Sequence, residues 1–249
     1  MNTYNFIPLD TKVHREISVQ PDNSFAHAKN FNLVNIGFNE LASLSGCLPI
    51  VVVNNEATDK QSLAGVVGFE NFGNLFCSEN QWQGHAVPLS VQTHPFNFAI
   101  DNNKVTVLID DSSDRVQDNA DKEYALFSSD GEPTHTLKHY QACLSNLIEG
   151  QQQAHTFITI LKQHDLLSPL SVTLTLKDGQ TVTSTDLLSI NEEKFAKLDE
   201  AIIVRFHQQG IAMAINAMLL SLRQYNRLVQ LTQHFDNPAE KVGIKLSQQ

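Results

Sequence analysis

A chain of 249 residues, 41% of them apolar and 18% charged, can bury a sizeable core without disulfides or a structural metal. Its formal net charge of −10 comes with scattered Lys and Arg and no basic cluster, which argues against nucleic acid or an anionic membrane surface as partner. Cys47, Cys77 and Cys143 form an odd set without a C-x-x-C pair, the usage of buried thiols in a reducing compartment.

The opening MNTYNFIPLD lacks the charged and apolar regions of a secretory signal, so a cytoplasmic location is expected. Short β-branched runs follow at Leu48–Val53, Leu63–Phe69 and Val105–Ile109, each bounded by Asn, Asp or Gly, and read as strands. The cluster Asp110-Asp111-Ser112-Ser113-Asp114 reads as a solvated turn.

The texture becomes helical after Gly131. Pro133 is placed to open a helix through Leu137, Tyr140, Leu144, Leu147 and Ile148, and a second helix is expected over Ala154–His164, closed before Pro169. Val172–Leu176 and Thr181–Thr183 flank Asp178-Gly179, a hairpin signal. Asn191-Glu192-Glu193 starts another helix, to about Gln208.

From Ile211 the apolar positions Ile215, Met218, Leu222, Tyr225 and Val229 form a seam, suited to a buried helix or to self-association as a homo-oligomer. The stretch Ile211–Leu222 is far too short to cross a bilayer, so no membrane insertion is expected. The polar residues 237–249 are expected to fray.

The expected class is α+β. A strand-rich N-terminal half with a mixed or antiparallel sheet (1–131) packs against a helix-rich C-terminal half (132–236) carrying a β-hairpin near 172–183, all in one compact unit.

Phe69, Phe72, Phe76, Trp82, Phe96 and Phe98 concentrate aromatic rings between strands, with Asn71, Asn74, Gln81, Gln83, His85 and His94 interleaved. Such a mixture builds either a ligand pocket or the junction of the two halves; Phe69, Asn71, Phe72, Asn74, Phe76, Trp82, His94 and Phe96 are the candidate ligand-binding set. No catalytic signature is present. Gly65, Gly68 and Gly73 fit neither nucleotide fingerprint, and Ser45 lacks the flanking glycines of a nucleophile elbow.

His135, His139 and Cys143 share one helix face, but eight residues separate the first from the third, roughly 12 Å, too far for one ion with ~2 Å ligand bonds. His135 and His139 are thus weak metal candidates, and no cofactor is assigned. Asp110, Ser112 and Asp114 alternate like the start of a calcium loop, yet Arg115 stands where the glycine belongs.

Several blocks in order carry a resemblance: Leu48-Pro49-Ile50-Val51, then Gly68-Phe69-Glu70-Asn71-Phe72-Gly73-Asn74-Leu75-Phe76, Trp82, Val87-Pro88, His94-Pro95-Phe96, Ile109-Asp110-Asp111, and Leu126 to Thr134. The chain resembles the SapC-like family of bacterial proteins from near its N-terminus to about Leu231. It departs from the family pattern at Gln92–Phe96, where relatives carry an Arg-rich stretch ending in Tyr-Pro-Phe; that puts in question any anionic ligand held there. The resemblance implies an accessory role in handling a peptide or nutrient, with a flavin-dependent halogenase-like protein as a partner suggested by family context, and a link to bacterial surface layers in the family's name.

The leading expectation is a non-enzymatic binding or accessory protein that contacts a peptide, small molecule or protein partner. The competing readings are a metal-dependent enzyme using His135, His139 or His94 with a carboxylate such as Asp110, and a structural oligomer.

Overall fold

The computed structural model describes residues 4–55, 60–77, 81–102, 104–118 and 123–247. The chain divides into two compact units, the first made of Met1–Ala28, Cys77–Trp82 and Leu89–Ile148, the second of Lys29–Phe76, Gln83–Pro88 and Glu149–Gln249.

In the first unit, the run Val105–Ile109 lies within the strand Lys104–Asp110. It pairs antiparallel with Phe6–Pro8 on one side and Phe96–Asp101 on the other. A second antiparallel pair joins Ile17–Val19 to Val116–Asp118. Both feed a core of Val19, Phe96, Ile109, Leu126, Leu137 and Leu144, the last two from the start of a helix.

That helix runs without a break over His135–Gln163. It begins two residues later than Pro133, because Thr134 supplies the cap: its Oγ1 accepts from the Leu137 amide at 3.4 Å. The expected division before Ala154 does not occur. Gly150 stays helical although glycine lowers helix propensity, and a Cβ there would lie 2.9 Å from the Gly37 Cα. The bare backbone is needed for close packing.

The second unit is built on a six-stranded sheet in the order Ala239–Leu246, Leu167–Leu176, Thr181–Ile190, Ile50–Asn55, Lys60–Val66, Leu33–Asn35, antiparallel at every described pairing. Along Leu167–Leu176 burial alternates strictly, with Leu170, Val172, Leu174 and Leu176 inward, as a strand with one covered face requires. The α+β class therefore stands, but the division into a strand-rich first half and a helix-rich second half holds only in part, because this sheet interleaves strands from both ends of the chain.

The expected tail instead contains a strand, Ala239–Leu246. Ala239–Leu246 pairs with Leu167–Leu176 from Ala239↔Leu176 to Leu246↔Leu170, and the Ala239 amide donates to Thr232 Oγ1 at 2.9 Å. Its polar composition, with Lys241 and Lys245, suits an edge strand, which is why it reads as a tail.

Asn191 caps the expected helix by accepting from the Lys194 amide, but the helix is split into Glu192–Ala196 and Glu200–Gln208. The apolar seam is likewise split, into Ile211–Ser221 and Tyr225–Leu231 around a 3-10 turn. Ile211, Ile215, Met218 and Tyr225 are buried, so much of the seam serves the unit's own core.

At the break, Ser221 Oγ donates to the Met218 carbonyl at 2.6 Å and accepts from the Ile50 amide at 2.9 Å, both buried. Ser221→Ala leaves the Ile50 N–H without that partner and is expected to cost about 1–3 kcal/mol, measured by urea unfolding. An unchanged midpoint would show that the amide finds another acceptor. Among the described residues no helix is long and apolar enough to cross a membrane.

Candidate functional site

The first unit carries a cleft of about 780 Å³, within the range of small-molecule sites. Its walls are assembled from the end of the strand Lys104–Asp110 and the turn after it, the loop following the short helix Leu89–Gln92, and the 3-10 turn Ala26–Ala28.

Asp110 ends its strand almost fully buried. One carboxylate oxygen, Oδ1, accepts from the Asn5 amide at 2.8 Å, the Ser112 amide at 3.2 Å and the Ser112 hydroxyl at 2.6 Å. The other, Oδ2, lies 3.4 Å from His94 Nε2. Burial alone raises the Asp110 carboxyl, but the hydrogen bonds from Ser112, Asn5 and His94 outweigh it and hold the group below the usual carboxylate range. The acidic cluster is a turn, as expected, but not a wholly solvated one: Asp110, Ser113 and Arg115 are buried while Asp111 and Asp114 face water.

His94 is buried, with Nδ1 lacking a hydrogen-bond partner among the described residues. Its ring stacks on that of His27, centroids 4.0 Å apart and planes within 11°, while Tyr4 meets it edge-on at 5.8 Å. The Tyr4 hydroxyl donates to the His27 carbonyl at 3.1 Å. Burial lowers the His94 pKa and Arg115 lowers it further, against the pull of Asp110. Burial, then His94 and Arg115, push His27 down to about 3. Both imidazoles are therefore neutral at pH 7, and His94 Nε2 faces the carboxylate as a neutral donor, leaving Nδ1 as an acceptor.

Arg115 is buried beside them. Its Nε donates to the Gln20 carbonyl at 2.8 Å, one terminal nitrogen to the His94 carbonyl, and the other to the Tyr140 hydroxyl at 2.8 Å. Among the described residues no carboxylate stands within 4.0 Å of it as an ion pair. Asp22, opposite on the wall, has its oxygens engaged by the Ser24 amide, the Ser24 hydroxyl and the Ala26 amide. Burial raises it, but these bonds and the Arg115 charge bring it below its ordinary value.

Of the expected ligand-binding set, His94 alone lines this cleft. Trp82, in the same unit, is buried against the edge of Phe25 at 5.9 Å, and Phe96 packs on Tyr140 at 4.6 Å. The rest belong to the second unit. Phe69 lies over Tyr225 at 6.3 Å, Phe72 meets Phe235 at 5.0 Å, Asn74 Oδ1 accepts from the Phe76 amide, Phe76 is fully buried, and Asn71 is exposed.

His135 and His139 are exposed on their helix, His139 Nε2 lying 3.7 Å from the half-buried Cys143 Sγ. They do not line the cleft of His94 and Asp110. Among the described residues no three His, Cys, Asp or Glu side chains group as a metal set. Nor do the stacked rings of His27 and His94 suit one ion, since near-parallel imidazoles 4.0 Å apart do not converge their in-plane lone pairs at ~2 Å.

Sequence reasoning missed His27, Asp22 and Arg115. The single signal was Arg115 itself, a cation closing an acidic run. His94 and Asp110 were both singled out, and the structure brings them into contact.

The fold and cleft define an α+β protein of two antiparallel-sheet units, one with a charged, histidine-walled cleft. The chain belongs to the SapC family, whose sequence model matches residues 9–228. No curated protein and no solved structure matches it.

Proposed function

We propose that this SapC-family protein is a non-enzymatic binding protein whose His94 cleft holds a short peptide or a free amino acid on behalf of a partner protein. The observation that carries the reading is the buried Arg115 guanidinium, unpaired with any carboxylate among the described residues yet sharing its cleft with Asp22 and the exposed Asp114. A buried cation is ordinarily paired; three of the five guanidinium N–H donors are engaged within the protein, and the second N–H of each terminal nitrogen remains to meet a carboxylate. A zwitterion satisfies both walls: its carboxylate meets Arg115 and its ammonium the aspartates. His94 Nδ1 then offers an acceptor for a peptide N–H.

Native mass spectrometry of the full chain with an equimolar pool of dipeptides and tripeptides is expected to show one peptide retained per chain. Acetylating the amine or amidating the carboxylate should each weaken retention about tenfold, the size of one charge-assisted hydrogen bond. Equal retention of free and doubly blocked peptides would refute the reading.

The His94–Asp110 contact favours a second reading, proton transfer, in which His94 Nδ1 acts as a base oriented by the carboxylate. Turnover of a retained peptide by the native chain, absent in His94→Gln, would support it over simple binding.

A further inference from the structure

The second unit contains its own cavity, of about 420 Å³, where its sheet comes apart. The strands Thr181–Ile190 and Ile50–Asn55 pair at Leu188↔Val52 and Leu187↔Val53, and among the described residues the pairing does not continue toward Asn54. On its other side Thr181–Ile190 shifts register against Leu167–Leu176 between Leu170 and Val172. Such an irregularity bends a strand away from its neighbour, and the cavity opens between Asn54 and Thr183–Asp186.

The walls are unequal in chemistry. Val53, Val66, Val172 and Leu187 supply an apolar lining, and the rings of Phe69 and Tyr225, stacked at 6.3 Å, also line it. Two residues of the lining each carry a buried polar atom with no hydrogen-bond partner among the described residues, the Tyr225 hydroxyl and Asn32 Oδ1. Tyr225 is 1% exposed, and a buried hydroxyl without a partner is costly, so it marks a position where a polar group belongs. The charged residues on the lining are Glu70 and Asp186, both exposed, and no Lys, Arg or His accompanies them among the described residues.

We infer that this cavity is a binding site for a small amine with an apolar body, a second ligand site independent of the His94 cleft. An ammonium has three donors and no acceptor, which matches Asn32 Oδ1, the Tyr225 oxygen and two carboxylates. Aromatic faces attract a cation, and a carboxylate-bearing ligand meets only repulsion from Glu70 and Asp186. The volume sits near the low end of small-molecule sites, fitting a single ring or a branched chain.

The test is calorimetric titration of the full chain with 2-phenylethylamine, and with 2-phenylethanol and 3-phenylpropanoate as its uncharged and anionic counterparts. The amine is expected to bind saturably at one site and more tightly than either counterpart. Tyr225→Phe should weaken it about tenfold, and Glu70→Gln or Asp186→Asn about threefold, as suits exposed charges. Tyr225→Phe deletes only an unpartnered hydroxyl, so its thermal unfolding should match or exceed that of the native chain; the two exposed acids provide a second route that does not touch the core. The inference is overturned by no saturable amine binding, by equal affinity for the amine and either counterpart, or by undiminished binding in Tyr225→Phe.

Discussion

Arg115→Ala is expected to destabilise the first unit by about 3–4 kcal/mol, a large loss for one substitution. The guanidinium joins three distant pieces of chain: the Gln20 carbonyl after the strand Ile17–Val19, the His94 carbonyl, and the Tyr140 hydroxyl on the long helix. Removing it leaves the buried His94 carbonyl and the part-buried Gln20 carbonyl and Tyr140 hydroxyl without that donor; the buried orphan costs about 1–3 kcal/mol and the part-buried pair add less each, against which the recovered desolvation of one charge is a partial offset. Trp82 is the chain's one tryptophan and is buried in this unit, so urea unfolding followed by its fluorescence reads this unit directly. Arg115→Lys retains the charge but not the planar fork that reaches three acceptors at once, and should recover less than half of the loss. A loss under about 1 kcal/mol in Arg115→Ala would mean that Arg115 is held for the ligand alone and clamps nothing.

Parts of this fold are written locally. Ser171, Thr173 and Thr175 alternate with Val172, Leu174 and Leu176 across three positions on each side of the pleat, and Gly179 takes the positive φ of 87° that the hairpin turn needs. What local pattern conceals is pairing at a distance. Ala239–Leu246 becomes a strand because Leu167–Leu176 has an open edge, and Gly150 stays helical because Gly37 and Asn39 press against it; neither fact is present in the residues' own neighbourhoods.

The same divide separates the two kinds of site residue. The aromatic segment is conspicuous in sequence, yet composition does not distinguish a pocket wall from a core, and Phe76 and Phe96 are core. His94 and Asp110 meet because the Asp110 amide donates to the Pro95 carbonyl at 2.8 Å, bringing the strand end to the loop. His27 and Asp22 join them from a turn with no periodicity to announce it.

The stability of the protein is expected to fall between pH 6.5 and pH 4.5, and His27→Phe should make that slope clearly shallower. His27 is depressed from 6.5 to about 3 by burial, by His94 and by Arg115, and His94 is depressed in the same direction. An unfolded chain takes up a proton on each imidazole as pH drops through about 6.5; the folded chain does not take up that of His27 until about pH 3. The unfolded state then binds more protons, so stability is full above the unfolded value and is lost as pH falls, by up to about 1.4 kcal/mol per pH unit for each histidine. The carboxyls facing the pair, Asp22 and Asp110, are also depressed, from 3.8. Their contribution is held above that value and lost below it, so it has the same sign but a lower window. Measuring urea unfolding by Trp82 fluorescence at half-unit steps from pH 7.5 to 4.5 isolates the histidines. Phenylalanine at position 27 keeps a ring against His94 and removes the titration, so a slope in His27→Phe equal to that of the native chain would show that the stacked pair is not the source of the acid sensitivity.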